Sequence, residues 1–173
     1  IVYSNVTLKG YSFFIMKLPK KLKNKYFILR HGESKANVKG ILLSQPKDGI
    51  VGFGLSNKGE KQVKESVLRN KLKELLDSDT IIYSSDFLRA KETAEIARKL
   101  LDVKKINLHK NLRERYFGKF DKTSLGNLTI IWEKDKIDVN HKHKGVESPN
   151  KVLKRVVNLI YILEKKYKKK KIL

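Results

Sequence analysis

The chain has 173 residues, 40% apolar and 34% charged, and reads as one soluble, charge-rich domain with a single sizeable core. It contains no cysteine, which excludes disulfides, cysteine zinc sites and thiol nucleophiles. The net charge is +22, yet only seven of the 40 basic residues are arginine. Nucleic-acid readers lean on the arginine fork for paired contacts, and lysine spread through every polar segment reads as solvated helix surface instead. Neither nucleic acid nor a membrane is expected as a partner, although the positive field favours phosphorylated ligands.

Residues 1–15 read as an N-terminal extension outside the fold, and Met16 precedes a plausible start. The apolar patch Tyr11-Ser12-Phe13-Phe14-Ile15 is too short to span a bilayer and lacks the features of a cleaved leader, so a cytoplasmic location is expected. Residues 16–173 form the expected domain. Tyr26-Phe27-Ile28-Leu29 predicts a strand buried on both faces. A glycine-containing loop spans residues 38–56. Asn57, with Glu60 three residues on, has capping-box spacing. The helix that follows places Val63, Val67, Leu68, Leu72, Leu75 and Leu76 on one face.

Thr80-Ile81-Ile82-Tyr83-Ser84-Ser85 predicts a second buried strand, followed by a helix from Phe87 to Leu101 with Ala94, Ala97 and Leu101 at helical spacing. Lys105–His109 reads as an edge-like strand, and residues 125–134 as a helix in the poorly patterned stretch 119–147. Ser148-Pro149 opens a long helix with Val152, Val156, Ile160, Leu163 and Tyr167 along one face. Lys171-Ile172-Leu173 begins another strand. Strands alternating with helices in this way predict an α/β fold, a three-layer αβα sandwich with a mostly parallel central sheet. Ligands of such sheets bind beyond the carboxyl ends of the strands. Arg30-His31-Gly32 and Ser84-Ser85 with Arg89 fall there.

A histidine at the mouth of a sheet is a competent nucleophile near neutral pH, and an adjacent arginine can fork onto phosphate oxygens. Gly32 would let the backbone approach a ligand closely. Alone, the tripeptide reads as an ordinary strand-end turn. Two later segments join it: Ser84-Ser85-Asp86-Phe87-Leu88-Arg89-Ala90-Lys91-Glu92-Thr93-Ala94 and Leu112-Arg113-Glu114-Arg115-Tyr116-Phe117-Gly118. In this order the three resemble the signature of the histidine phosphatase superfamily, whose fold is phosphoglycerate mutase-like, over about residues 25–173.

The resemblance implies that His31 becomes a phosphohistidine, that Arg30 and Arg89 clamp the phosphoryl oxygens, and that Glu114 acts as proton donor and acceptor. That last role asks for partial burial of Glu114. It also implies that Asn37 donates to phosphate, with Ser34, Gln45 and Tyr116 as further substrate contacts. Ion pairing remains an alternative for both charged groups, because Glu92 lies three residues after Arg89 and Glu114 lies between Arg113 and Arg115.

Two features depart from the pattern. The superfamily places a second catalytic histidine after a strand that follows the long C-terminal helix. This sequence stops at Leu173 where that strand begins, so a truncated domain, weakly active or unstable by itself, is expected. His109, His141 and His143 are expected at the surface, and no further ligand is spaced to complete a metal site with the last two. Gly145-Val146-Glu147-Ser148 stands where relatives carry Gly-Glu-Ser or Gly-Glu-Thr, which leaves Ser148 as a cap and weakens a substrate role for Glu147.

Ala36-Asn37 replaces the Trp-Asn pair usual in mutases, so the phosphatase branch is favoured: hydrolysis of a small phosphorylated metabolite or a phosphoprotein, with no metal and no cofactor. The alternatives are a mutase dependent on 2,3-bisphosphoglycerate and a non-catalytic phospho-ligand or partner-binding module. A dimer is compatible with either.

Overall fold

Side chains alternate across the strand that contains Ile82. Ile82 packs into a cluster with Val63, Val67, Ala94, Ala97 and Leu101, whereas Ile81 and Tyr83 pack with Leu159, Leu163 and Ile172. Successive strand residues point to opposite faces. One face of the sheet therefore carries α3 (Asn57–Leu72) and α4 (Leu88–Leu101), and the other carries α6 (Pro149–Lys166). This is the expected three-layer sandwich. The computed structural model describes residues 18, 19 and 21–173; the extension expected over residues 1–15, and Met16, lie outside the described residues.

The sheet is parallel. β1 (Lys25–Tyr26) pairs with β4 (Lys171–Ile172), and β2 (Ile82–Ser84) with β3 (Ile106–Leu108). A parallel bridge between Ile81 and Ile172 joins the pairs, giving the order β1-β4-β2-β3. Ile81 N donates to Lys171 O at 2.9 Å, and Leu173 N donates to Ile81 O at 2.9 Å. β1 is shorter than its apolar run predicts. Phe27 N donates to Ile172 O at 2.8 Å, but residues 28–30 find no ladder partner on that side among the described residues, and Ile28 is 94% exposed.

Several helices begin where their side chains satisfy the free N–H groups of the first turn. Ser56, not Asn57, caps α3: its Oγ accepts from Gly59 N at 3.1 Å. Ser148 Oγ accepts from Lys151 N, and Pro149 takes the first position of α6, as expected. α4 ends at Asp102, which adopts a left-handed φ of 58°. α3 is less apolar than its sequence suggests. Val63 and Val67 are buried, while Leu72, on the last turn, is 85% exposed. α5 (Leu128–Ile137) packs through Ile131 against Leu42, Phe117, Phe120 and Val146 in a separate small core. Two short helices, α1 (Lys35–Val38) and α2 (Pro46–Gly49), lie in the stretch between β1 and α3.

α6 is tied to the start of the sheet by a buried carboxylate. Glu164 accepts from Lys23 N at 2.6 Å, Asn24 Nδ2 at 2.8 Å and the Tyr26 hydroxyl at 2.8 Å. Burial opposes its charge, but these donors win, and its proton affinity falls below the ordinary glutamate range. The result fixes β1, and with it the loop that follows, on the long helix. No helix among the described residues is long and apolar enough to cross a membrane.

Candidate active site

His31 lies in the loop beyond β1, on the carboxyl side of the sheet. Its Nδ1 is 2.7 Å from the Gly32 carbonyl oxygen. A carbonyl only accepts, so Nδ1 carries the proton and Nε2 keeps its lone pair. Burial, then the positive charges of Arg89 and Arg30, pull the imidazole from its ordinary 6.5 down to about 4, against the hydrogen bond to Gly32. The ring is therefore neutral at pH 7, in the tautomer that presents Nε2. Nitrogen-15 NMR should show the Nδ1–H form of His31 persisting down to about pH 5; a ring that titrates near 6.5 contradicts this electrostatic picture. The same shift affects stability. The unfolded histidine takes up its proton near 6.5 and the folded one near 4, so the contribution of this group is present above 6.5 and is lost as pH falls through 4.

Gly32 makes a close approach, but to protein rather than to ligand. A Cβ on Gly32 would overlap the Gly59 carbonyl, and one on Gly59 would overlap the Glu33 backbone. The two glycines let the His31 loop lie directly on the first turn of α3. Overpacking at such a contact costs about 1–3 kcal/mol, so Gly32→Ala should lower the melting temperature by several degrees in a thermal scan. An unchanged melting temperature would show that the loop is not clamped there.

Arg89 stands in the first turn of α4 and is buried. One guanidinium nitrogen donates to Leu43 O at 3.2 Å and lies 3.7 Å from a Glu114 carboxylate oxygen. Burial pulls the guanidinium below the usual arginine range while Glu114 opposes the shift, and it remains a cation at any physiological pH. The loop that accepts from Arg89 is itself anchored. Asp121 accepts from Ser44 N, Ser44 Oγ and Gln45 N at 2.5, 2.6 and 3.1 Å. Ser44 Oγ in turn accepts from Phe117 N. Nothing in the sequence pattern singles out Asp121, because its three partners lie more than 70 residues away.

The competing ion pairs go elsewhere. Glu92 accepts from Leu55 N rather than pairing with Arg89. Arg113 forks onto Asp86, and Arg115 forks onto Asp135. Glu114 is thus left facing Arg89, and its Oε1 accepts from Arg115 N. Its side chain is 38% exposed, so the partial burial asked of it is slight. Arg30 is exposed and is placed near this centre by its charge effect on both His31 and Arg89.

The weaker assignments divide. Asn37 turns its Oδ1 to Ser34, accepting from Ser34 N at 3.0 Å and from Ser34 Oγ at 2.8 Å, and its Nδ2 has no partner among the described residues. Ser34, expected as a substrate contact, has no exposed surface, and its hydroxyl caps α1. Gln45 caps α2 through its backbone, and Tyr116, 40% exposed, lines a neighbouring cavity. Of the three other histidines, expected at the surface, His141 is the most covered: its side chain is 10% exposed and pairs with Asp135 at 2.6 Å. His109 and His143 are half-buried; His143 packs on Phe120, and His109 Nδ1 accepts from Asn111 N. Among the described residues no group of three or more His, Cys, Asp or Glu gathers as a metal site.

A neutral imidazole, two arginines acting on it and a carboxylate across from one of them form an arrangement that can hold and accept a phosphoryl group. The sequence pattern of the histidine phosphatase superfamily (branch 1) matches residues 26–173, and the chain belongs to that superfamily. Among solved structures, YhfR of Bacillus stearothermophilus is 25% identical, with 87% of this chain aligned to 72% of that one and a TM-score of 0.65. The Thermus thermophilus protein TTHB049 is 28% identical over 83% of this chain and 73% of its own, with a TM-score of 0.56. A mycobacterial glucosyl-3-phosphoglycerate phosphatase shares the fold at 18% identity, 87% and 72% coverage and a TM-score of 0.65. No curated protein sequence gives a significant match.

Proposed function

We propose that this protein hydrolyses phosphomonoesters through a phosphohistidine on His31. The observation that carries this is the tautomer: a neutral ring held by Gly32 O, with Nε2 free, under the field of Arg89 and Arg30. In the first step the Nε2–P bond forms as the ester P–O bond breaks, and Glu114 passes its proton to the departing oxygen. Arg30 and Arg89 offset the charge that spreads over the phosphoryl oxygens. Water then attacks phosphorus, Glu114 takes the water's proton, and the N–P bond breaks to release phosphate and neutral His31. Superfamily membership supports this reading, as does a fold shared with a solved phosphatase.

The test is leaving-group dependence in the presence of EDTA. p-Nitrophenolate departs without a proton, whereas an alkoxide does not. Glu114→Gln should cut turnover of glycerol 3-phosphate about 100-fold or more and that of p-nitrophenyl phosphate about tenfold or less. Acid-sensitive, alkali-stable phosphate should be trapped on His31. Equal losses on both esters would remove Glu114 from the proton path, and label on another residue would overturn the mechanism.

A further inference from the structure

At the end of the sheet opposite His31, the fold gathers lysines that the sequence keeps apart. Lys21, Lys23 and Lys25 lead into β1, and five more fill residues 165–170 around Tyr167, where α6 ends and turns into β4; all eight are exposed. The pairing of β1 with β4 sets the two runs side by side. Lys169 N donates to Lys23 O at 3.0 Å, and Lys25 N donates to Lys170 O at 2.8 Å. Buried Asn24 clamps the join: its Nδ2 donates to Tyr167 O and its Oδ1 accepts from Lys170 N, both at 3.0 Å. These contacts use the lysine backbones and leave the ammonium groups outside the frame.

None of the eight meets a carboxylate within ion-pair distance among the described residues. Two acids at this end are already matched: Glu164 is buried under its three donors, and Asp77 pairs with Lys171 at 2.6 Å. The negative end of the α6 dipole favours Lys165 and Lys166, but it does not account for the other six. Like charges so close repel each other, and an extended anionic surface laid against them removes that cost. Apolar side chains stand among them. Leu22, between Lys21 and Lys23, is 40% exposed, and Leu18 is 48% exposed. Neither lysine segment contains an arginine, so the fork that reads nucleic acids is missing. Clustered lysines beside exposed leucines match the interface of an anionic bilayer, where cations meet headgroups and apolar side chains enter the acyl boundary.

We infer that this end of the molecule docks on an anionic phospholipid surface, with the lysines on the headgroups and Leu18 and Leu22 at the acyl boundary. Along the sequence the lysines read as solvated surface, and no membrane partner is expected from it; the pairing of β1 with β4 is what concentrates them. Docked this way, the protein keeps the mouth of the sheet, with His31, turned to water. The whole chain is sedimented with vesicles of phosphatidylcholine alone and with vesicles holding about 30% phosphatidylserine, at about 150 mM salt. It should bind the anionic vesicles about 100-fold more tightly or better, since each lysine near such a surface adds about fivefold.

The variant Lys21→Gln/Lys23→Gln/Lys168→Gln/Lys170→Gln should weaken binding to the anionic vesicles about 30-fold or more, with its fold checked by melting temperature. The variant Lys47→Gln/Lys61→Gln/Lys119→Gln/Lys134→Gln removes as much charge from exposed lysines on other parts of the fold, and should stay within about threefold of the parent. Leu18→Gln/Leu22→Gln should weaken vesicle binding about fivefold or more while leaving the preference for phosphatidylserine in place. Equal binding to the two kinds of vesicle, or equal losses in the two lysine variants, would overturn the inference. Undiminished vesicle binding by the leucine variant, together with binding of poly(U) RNA that the first lysine variant loses, would also overturn it and assign the lysines to nucleic acid. None of these readings depends on hydrolysis at His31.

Discussion

Replacing His31 with alanine should lower turnover of p-nitrophenyl phosphate by about 10,000-fold or more, because on the proposed mechanism it removes the atom to which phosphorus bonds. Among the described residues the other histidines are engaged: His109 and His141 are committed to Asn111 N and Asp135, and His143 packs on Phe120. The substitution should leave the fold intact, since the side chain makes a single hydrogen bond, to its own neighbour's carbonyl. Removal of a half-buried, uncharged ring also deletes the acid-sensitive contribution to stability between pH 4 and 6.5, so the variant should lose less stability than the parent on acidification across that interval. Steady-state assays and thermal scans at several pH values read both effects. Activity within tenfold of the parent would place the nucleophile elsewhere.

Arg89→Lys has the second largest effect. The change keeps the positive charge and discards the planar fork, which separates geometry from charge. One guanidinium nitrogen of Arg89 donates to Leu43 O and also faces Glu114, with the Phe87 ring centre 5.5 Å from the guanidinium carbon. A lysine cannot reach these partners and two phosphoryl oxygens together. Loss of an oriented transition-state contact of this kind costs about 100- to 1000-fold in kcat. Substrate binding should weaken less than turnover, because the contact strengthens as charge develops. Full activity would mean that Arg89 contributes only its field, and a KM effect alone would make it a ground-state anchor.

Much of this site was legible before folding. Arg30-His31-Gly32, the segment around Arg89 and the segment around Glu114 carry local signatures, and their chain order points to one superfamily. The strands were legible too, since a short apolar run followed by polar residues marks a buried parallel strand whatever its neighbours. Periodicity misled where burial depends on what lies opposite. Leu72 keeps the spacing of a core residue on α3 but occupies its exposed end, and Ile28 continues an apolar run past the level at which β4 pairs with β1. Gly32 was read as clearance for a ligand, and α3 fills that clearance through Gly59.

Sequence by itself determined the parallel α/β class and the superfamily and singled out His31 as the candidate nucleophile, because each depends on residue types at short spacing. Tertiary structure alone decided which carboxylate answers which arginine. Arg113 takes Asp86 across 27 positions and Arg115 takes Asp135 across 20, so Glu114, which lies between the two in sequence, is released to face Arg89. It also brought Lys110, Lys142 and Lys151 from three segments to one cavity. Charges so far apart along the chain have no common pattern; they meet only after β3, the loop before α6 and α6 itself are locked together by Arg155.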